Sequence, residues 1–446
     1  MHQDNEDEDN GVVLSLNDEG LEILPELPEN IVILYCNNNK LTSLPEELPE
    51  RIKCLECNHN NLTSLPEELP KRLEILDCNH NNLTSLPEEL PKRLEILECN
   101  NNELTGLPKL PENIVVLHCN NNKLTSLPES LKRLERLDCA NNELTSLPKL
   151  PERLEYLDCN DNKLTSLPEL LESLQILYCA NNNLTSLPEL PGSLHYLYCA
   201  NNNLTSLPKL PERLENLKCN NTSLTSLPEL PGSLHYLDCN HNNLTSLPKL
   251  PEGLERLYCD NNKLTSLPEL PENIEVLYCN NNELTSLPND LLHHITHLTI
   301  SVYQVLLLPE ADEDYLSYIN KLTIVDEMKY NDDEKNNECL KKIEELERVF
   351  TGDILQYCPY FKKHMNVDNQ FKLLSKHKFT PRNAKDEKKQ LPKDIQYLIK
   401  RYLKRNRNIR NIGGKRTKKK SRKPKNTRKT RKPKRSNRRN CIVSNR

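Results

Sequence analysis

Tryptophan is absent from the 446 residues, phenylalanine occurs four times and glycine nine times. A chain this poor in large aromatic side chains cannot fill the interior of two or three ordinary domains, so its apolar burial has to come from leucine in a regular arrangement. Scarce glycine leaves no Gly-rich loop of the kind that cradles phosphate. No apolar run approaches the roughly 20 residues that a membrane-spanning helix needs. The first ten residues, MHQDNEDEDN, are acidic and hold no apolar stretch of the secretory type. An intracellular chain is expected, in host cytoplasm or nucleus if the source is viral. Its 17 cysteines then read as reduced thiols, because disulfides persist mainly in oxidising compartments.

Acid is missing from one end. No Asp or Glu follows Asp394, and residues 400–446 hold 23 Lys and Arg. The preceding 399 residues carry 37 basic and 65 acidic side chains, a net of −28 that the whole-chain value of −5 conceals. Two electrostatically opposite pieces share one chain.

What is abundant is a repeated sentence, of which LDCNHNNLTSLPEELPKRLEIL is one copy. Aligned on cysteine, the copies fall 21 residues apart from Cys36 to Cys99 and 20 apart from Cys99 to Cys279. Each carries L-x-x-L-x-C-x-x-N-x-L, as in Leu73, Leu76, Cys78, Asn81 and Leu83. This is the leucine-rich repeat pattern with Cys at a position where Leu is usual. About 13 regular copies are flanked by degenerate ones, around Leu14, Leu16 and Leu21 and around Ile295, Leu298 and Ile300. Atypical end units suit a stack whose first and last members each meet water on one side. The spacing therefore predicts an array over residues 11–309, after an acidic disordered stretch over 1–10.

Alternation places Leu76 and Cys78 on one face of a short strand and Ile75 and Asp77 on the other. Stacked copies give a parallel sheet. The LTSLPELPESL half of each copy mostly holds two prolines and cannot be the interior of a helix, so an extended, polyproline-like outer wall is expected there. The expected fold is an α/β-type solenoid, a horseshoe with the sheet on its concave face. The Asn three residues after each Cys can donate and accept at once, and so can satisfy backbone groups buried between coils. Thr222 replaces it in one copy, where a looser turn is expected.

The cysteine ladder could be a metal or redox array, but a structural role as a small buried side chain is far commoner. Zinc asks for four converging ligands, whereas this series offers one inward thiol per strand along a line. The single C-x-x-C, Cys54 and Cys57, would point to opposite faces of its strand. N-x-T triplets at Asn61, Asn82, Asn183, Asn203 and Asn243 are by-products of the repeat in a chain without a secretory signal. No convergent Ser/His/Asp set is visible, so neither enzyme activity nor a cofactor or metal is expected.

The LPELPxxLxxLxxxxNxLTSLP units resemble the 20-residue leucine-rich repeats of bacterial secreted effectors. The Cys- and Asn-rich form, LYCANNNLTSLPELPGSLHYL, resembles repeat proteins encoded by giant DNA viruses of amoebae. The resemblance spans roughly two-thirds of the chain and implies protein binding without naming a target. Some such effectors carry a ubiquitin-ligase domain with a catalytic C-x-D. Here Cys339 is followed by LKK, Cys358 by PYF and Cys441 by IVS, so no ligase residue carries over.

Between the fixed letters lie variable, outward-facing ones. One column contains Tyr35, Glu56, Asp77, Glu98, His118, Asp138, Asp158, Tyr178, Tyr198, Lys218, Asp238, Tyr258 and Tyr278. The column two residues earlier is aliphatic at first and then includes Arg136, Tyr156, Tyr196, Tyr236 and Arg256. Eight of the 16 tyrosines fall in these two columns. Tyrosine has a general preference for strands, yet it is also enriched at interface hot spots, because it buries much area for little rotamer entropy. Solenoids use such a face for binding. The expected contact set comprises the Tyr, Asp and Glu members of both columns, on a monomer, with residues 136–278 foremost.

After the array, residues 310–405 lose the repeat and predict a mainly helical extension. DDEKNNECLKKIEELERVF, 332–350, has helical apolar spacing and i, i+4 charge pairs. LPKDIQYLIKRYLKRN places an apolar stripe behind Pro392. Its 391–403 portion resembles the first helix of an F-box, a ubiquitin-ligase adaptor motif, although the remainder of that motif is missing. Residues 406–446 predict a disordered Lys/Arg-rich tail. Lys415, Arg416, Lys418, Lys419, Lys420, Arg422, Lys423, Lys425, Arg428, Lys429, Arg431, Lys432, Lys434 and Arg435 are its candidate contacts to nucleic acid or to import machinery. No aromatic residue is interleaved, which favours sequence-independent phosphate contact over base stacking. Residues 1–309 carry 47 acidic and 21 basic side chains, net −26, so the tail could also fold back on the array.

Overall fold

Twelve of the regular copies each contribute a strand of only three residues, because the Leu-x-Cys alternation is bounded by a Pro-containing segment on one side and a tight turn on the other. The computed structural model describes residues 11–129, 132–287, 295–301, 321–325 and 353–357. Strands β1 (Val12–Ser15) and β2 (Ile31–Tyr35) begin the array. Next come β3 (Cys54–Glu56), β4 (Ile75–Asp77), β5 (Ile96–Glu98), β6 (Val116–His118), β7 (Arg136–Asp138) and β8 (Tyr156–Asp158). The series continues with β9 (Ile176–Tyr178), β10 (Tyr196–Tyr198), β11 (Asn216–Lys218), β12 (Tyr236–Asp238), β13 (Arg256–Tyr258), β14 (Val276–Tyr278) and β15 (His297–Ser301).

Every neighbouring pair is parallel and, from β2 to β14, in strict register, so Leu55 lies beside Leu76 and Leu76 beside Leu97. The result is a solenoid of about one strand per turn with strands about 4.8 Å apart. No helix occurs among the described residues. The Leu-Pro segments run without strand or helix on the far side of each coil, as their prolines require.

Each coil closes on itself with leucine. Around β4, Leu73, Leu76, Cys78 and Leu83 have no exposed surface, and Leu86 and Leu90 retain 7% and 8%. Six small or medium apolar side chains per turn fill a coil too narrow for a ring, which accounts for the shortage of aromatic residues. The first turn is the exception. Val12, Val13 and Ile23 are exposed, Val13 in the outward column beside Ile33.

The turn after each strand contains a residue in the left-handed region, two positions past the cysteine. It is Asn38, His59, His80, Asn101 and so on to Asn281, with φ between 51° and 57° in the regular copies. Asn, Asp and His tolerate this region better than most residues, and only those three types occur there. The next residue is the buried Asn. Asn81 donates to the carbonyls of Cys57, Cys78 and Asn79 at 3.1–3.2 Å, and its Oδ1 accepts from the Leu62 amide at 2.9 Å. One side chain thus stitches two consecutive coils and satisfies carbonyls and an amide buried between them.

At Thr222 the turn keeps its backbone conformation, although Thr222 is half-buried where the Asn of the other copies is buried. Asn221 keeps φ 53° and its amide bonds Asn240 O at 2.8 Å, like its counterparts. What is lost is polar pairing: Thr222 donates to Cys219 O at 3.1 Å and contacts Asn242 Oδ1 at 2.5 Å, but no Oδ1 reaches the Leu204 amide. The hydroxyl is too short to reach the preceding coil as the Asn amide does.

Two further strands, β16 (Lys321–Val325) and β17 (Asp353–Tyr357), continue the parallel pairing from β15. Both fall inside the stretch that the sequence predicts to be mainly helical. KLTIV holds three β-branched residues in five, which favours strand over helix. The predicted helices at 332–350 and 391–403, the acidic residues 1–10 and the basic tail from Lys415 to Arg435 lie outside the described residues. No helix among the described residues is long and apolar enough to cross a membrane.

Candidate binding face

The side chains on either side of each buried strand leucine stand on the open face of the sheet. The strand pattern is half-exposed, buried, half-exposed in most copies. Register carries each column straight across the sheet: Glu56 lies beside Asp77, Asp158 beside Tyr178, and Tyr258 beside Tyr278.

The amino-terminal half presents carboxylates held by the preceding coil. The first Asn after each cysteine donates to the carboxylate of the next strand: Asn37 to Glu56 at 3.0 Å, Asn79 to Glu98 at 2.9 Å, Asn58 to Asp77 and Asn120 to Asp138. His118 Nδ1 lies 3.7 Å from Glu98. The series breaks at residue 140, which is Ala, so Asp158 receives no such bond. Its Oδ1 accepts only from the Asn160 amide at 3.0 Å. Desolvation above all, with Asp138 and Asp161 nearby, pushes the Asp158 carboxyl up to about 6. An open polar cleft between Asp138 and Asp158 is floored by Ala140 and edged by Asn121, Asn141 and Asp161.

The carboxy-terminal half carries a continuous run of ring contacts. The Arg136 guanidinium sits 4.5 Å over Tyr156, whose ring meets Tyr178 edge-on at 5.8 Å. Tyr178 stacks on Tyr198 at 4.6 Å with 18° between planes. Lys218 Nζ bridges the gap to the next group, 4.2 Å over Tyr198 and 5.5 Å over Tyr236. Tyr236, Tyr258 and Tyr278 follow at 5.3 and 4.8 Å. The run takes one residue from each of eight consecutive strands, β7 to β14. Seven inter-strand steps of about 4.8 Å make it roughly 34 Å long. Burial pushes the phenol of Tyr156 up to about 12, with Asp158 and Asp138 adding to the effect, and burial likewise raises that of Tyr178. Both hydroxyls therefore stay protonated at neutral pH and available as donors.

Of the sequence-predicted contacts, Tyr156, Tyr178, Tyr198, Tyr236, Tyr258 and Tyr278 are joined in this run. Glu56, Asp77, Glu98, Asp138 and Asp158 form the acidic half, and Asp238 lies beside Lys218 in register. Tyr35 and Tyr196 share the face but not the run. Arg136 and Lys218 are its missing links, and the contact set read from sequence omits both. Their signal was present: each occupies the face beside tyrosine-bearing strands, at the range where a cation covers an aromatic ring.

The 14 described cysteines are buried and none is joined in a disulfide. Desolvation pushes the Cys36 thiol up to about 12 and the Cys54 thiol up to about 11, with Glu56 and Asp77 adding to the latter. Several thiols also point at the carbonyl that their own amide bonds, as Cys78 Sγ does at Glu98 O, 3.4 Å away. Thirteen of them fill the coil as neutral thiols, and Cys54 lies in the outward column between Ile33 and Ile75. Among the described residues no group of three or more His, Cys, Asp or Glu is placed to hold a metal ion.

Comparison with known proteins agrees with this architecture. A family description reading leucine-rich repeats in two copies matches residues 112–152 and 233–272, and the single leucine-rich repeat matches 72–92 and 153–174. Among solved structures, YopM, a leucine-rich effector protein from Yersinia pestis, is 40% identical with a TM-score of 0.58, over 62% of this chain and 79% of that one. A leucine-rich repeat protein of Leptospira interrogans is 28% identical with a TM-score of 0.56, over 77% and 95%. No curated protein matches the sequence. Periodicity, in-register parallel coils and these likenesses together place the chain among the leucine-rich repeat proteins.

Proposed function

We propose that this chain is a non-enzymatic, intracellular recognition scaffold that binds a protein partner across the open face of its sheet. The observation that supports it best is the run of six tyrosines and two cations over β7–β14. A row of rings held by its neighbours presents large, amphipathic contact area with little side-chain entropy left to lose on binding. Each ring pair contributes on the order of 1 kcal/mol to that ordering. The fold is of a kind used for protein–protein interaction, and the effector-like relatives are consistent with it. The Cys- and Asn-rich wording of the repeat is the basis for extending the kinship to viral repeat proteins.

A second reading takes nucleic acid as the main ligand, through the 14 Lys and Arg within residues 415–435. The two readings separate in one experiment: capture from a cell lysate by the full-length chain, with and without nuclease, and by its Tyr178→Ala/Tyr258→Ala variant. The scaffold reading expects a protein retained after nuclease and lost with the double variant. Loss of all captured material with nuclease, with the variant behaving like the parent, would replace it with the second reading.

A further inference from the structure

The chemistry of the face restricts what kind of protein segment it can receive. Over β2–β14, the two outward columns and the row preceding them hold 13 carboxylates, six in the columns and seven in the row. Four cations oppose them: Lys53, Arg136, Lys218 and Arg256. A polyanion laid on this surface would meet net repulsion over the face as a whole, and an apolar segment would leave carboxylates stranded beneath it. A cationic segment meets neither penalty.

Two further observations favour cations. The face already stacks cations on its own rings at two places, Arg136 on Tyr156 and Lys218 on Tyr198. The ring faces are therefore oriented where a positive group can sit on them, and each such contact is worth roughly 0.5–1 kcal/mol at an exposed site. The second observation is the break in the asparagine series. Asp77, Glu98 and Asp138 each receive an amide donor from the coil before, whereas Ala140 withholds one from Asp158. Asp158 is left half-buried, short of donors, with Asp138 and Asp161 beside the same cleft and the first tyrosines of the run next to it. A guanidinium or ammonium entering there would pair with a carboxylate that the chain itself leaves incomplete.

We propose that the sheet face receives a cationic stretch of a partner polypeptide laid across the strands, one Arg or Lys pairing with Asp158 in the cleft over Ala140 and others covering the tyrosine run. This rests on the protein-recognition reading and adds the chemistry of the partner. At about 4.8 Å per strand, an extended peptide of about ten residues spans the run, since each residue advances about 3.3 Å.

The test uses the full-length chain and three fluorescent 12-residue peptides of equal length: Arg at alternate positions with Ser between, the same with Glu, and all Ser. Binding is read by anisotropy near physiological salt. The expected result is selective binding of the Arg peptide, weakened at least tenfold by Asp158→Asn and several-fold by Ala140→Asn. The second variant keeps the Asp158 charge and only supplies the donor that neighbouring coils possess. Circular dichroism confirms that each variant folds. Equal binding of the three peptides, binding only of the Glu peptide, or Arg-peptide binding indifferent to both substitutions overturns the proposal. If the cationic peptide fails while lysate capture still depends on Tyr178 and Tyr258, this inference falls and the protein-recognition reading stands. If neither depends on the face, both fall.

Discussion

At the scale of the residue, most of the chain's invariance is explained by two asparagine-type positions and one thiol. The buried Asn of each coil pairs groups in two coils at once. In Asn142→Ala, the Leu124 amide loses its only side-chain acceptor and the Cys119 and Cys139 carbonyls each lose a donor. The two carbonyls keep the donors of Asn122 and Asn162, but the Leu124 amide is left buried and unpaired, which costs about 1–3 kcal/mol, to be read as a fall in the denaturation midpoint. Thr222→Asn runs the other way. Restoring the acceptor for the Leu204 amide is expected to stabilise the array by about 1 kcal/mol, and a variant less stable than the parent would contradict the role given to this position. The thiols are neutral fillers. A thiol reagent near neutral pH is expected to leave the 13 described cysteines inside the coils unmodified until denaturant is added, so that Cys54 on the open face and Cys339, Cys358 and Cys441 are the most that react in the native protein.

Asp158 makes its own prediction. Its carboxyl titrates near 6 when folded against an ordinary 3.8, so the folded state holds the proton more tightly than the unfolded one. Stability then falls as pH rises from about 4 to about 6 and stays reduced above that. Asp158→Asn removes the effect. It is expected to be more stable than the parent near neutral pH by about 1 kcal/mol, after allowing for solvent screening of a partly exposed group. Below pH ~4 the difference disappears, because both forms are then neutral. The tenfold loss of cation binding expected of the same variant therefore cannot be blamed on unfolding.

At the scale of the element, the strand and its outer wall were legible because each position is decided locally and then repeated. Leu76 and Cys78 alternate with Ile75 and Asp77, and the prolines forbid a helix opposite. The turn was less legible. Asn38, His59 and Asp161 share no size or charge, only tolerance of a positive φ, and nothing in hydrophobic patterning marks that property. His59 and His80 even stack at 4.1 Å from this position. The tyrosine run was legible only as columns. Its contacts pass diagonally between the two columns, from Tyr156 to Tyr178 and from Lys218 to Tyr236, and depend on side-chain direction that register alone does not supply. Strands at Lys321–Val325 and Asp353–Tyr357 lie where helical charge pairs in the intervening segment suggested another structure, because a strand of five residues leaves little periodicity to read.

At the scale of the whole molecule, stability is a sum over coils and their interfaces. A lesion such as Asn142→Ala, in the middle of the array, therefore weakens coupling between its two halves, whereas the same change in a terminal coil would fray one end. Protease digestion in mild denaturant is expected to cut the Asn142→Ala variant near residues 130–150 first. Uniform digestion would indicate that the array melts as a single unit. The binding face depends on the same stacking, since its rings and carboxylates come from different coils and are aligned only when those coils are in register.

The most direct test of the central claim is hydroxyl-radical footprinting of the full-length chain, alone and saturated with the protein that it captures. Tyrosine oxidation reports side-chain exposure at single residues, and the array supplies its own controls. The account predicts that oxidation of Tyr178, Tyr198, Tyr258 and Tyr278 falls several-fold in the complex while that of Tyr35 is unchanged. Protection confined to the Leu-Pro wall or to residues beyond the array, with the tyrosine run oxidised as freely as before, would contradict it.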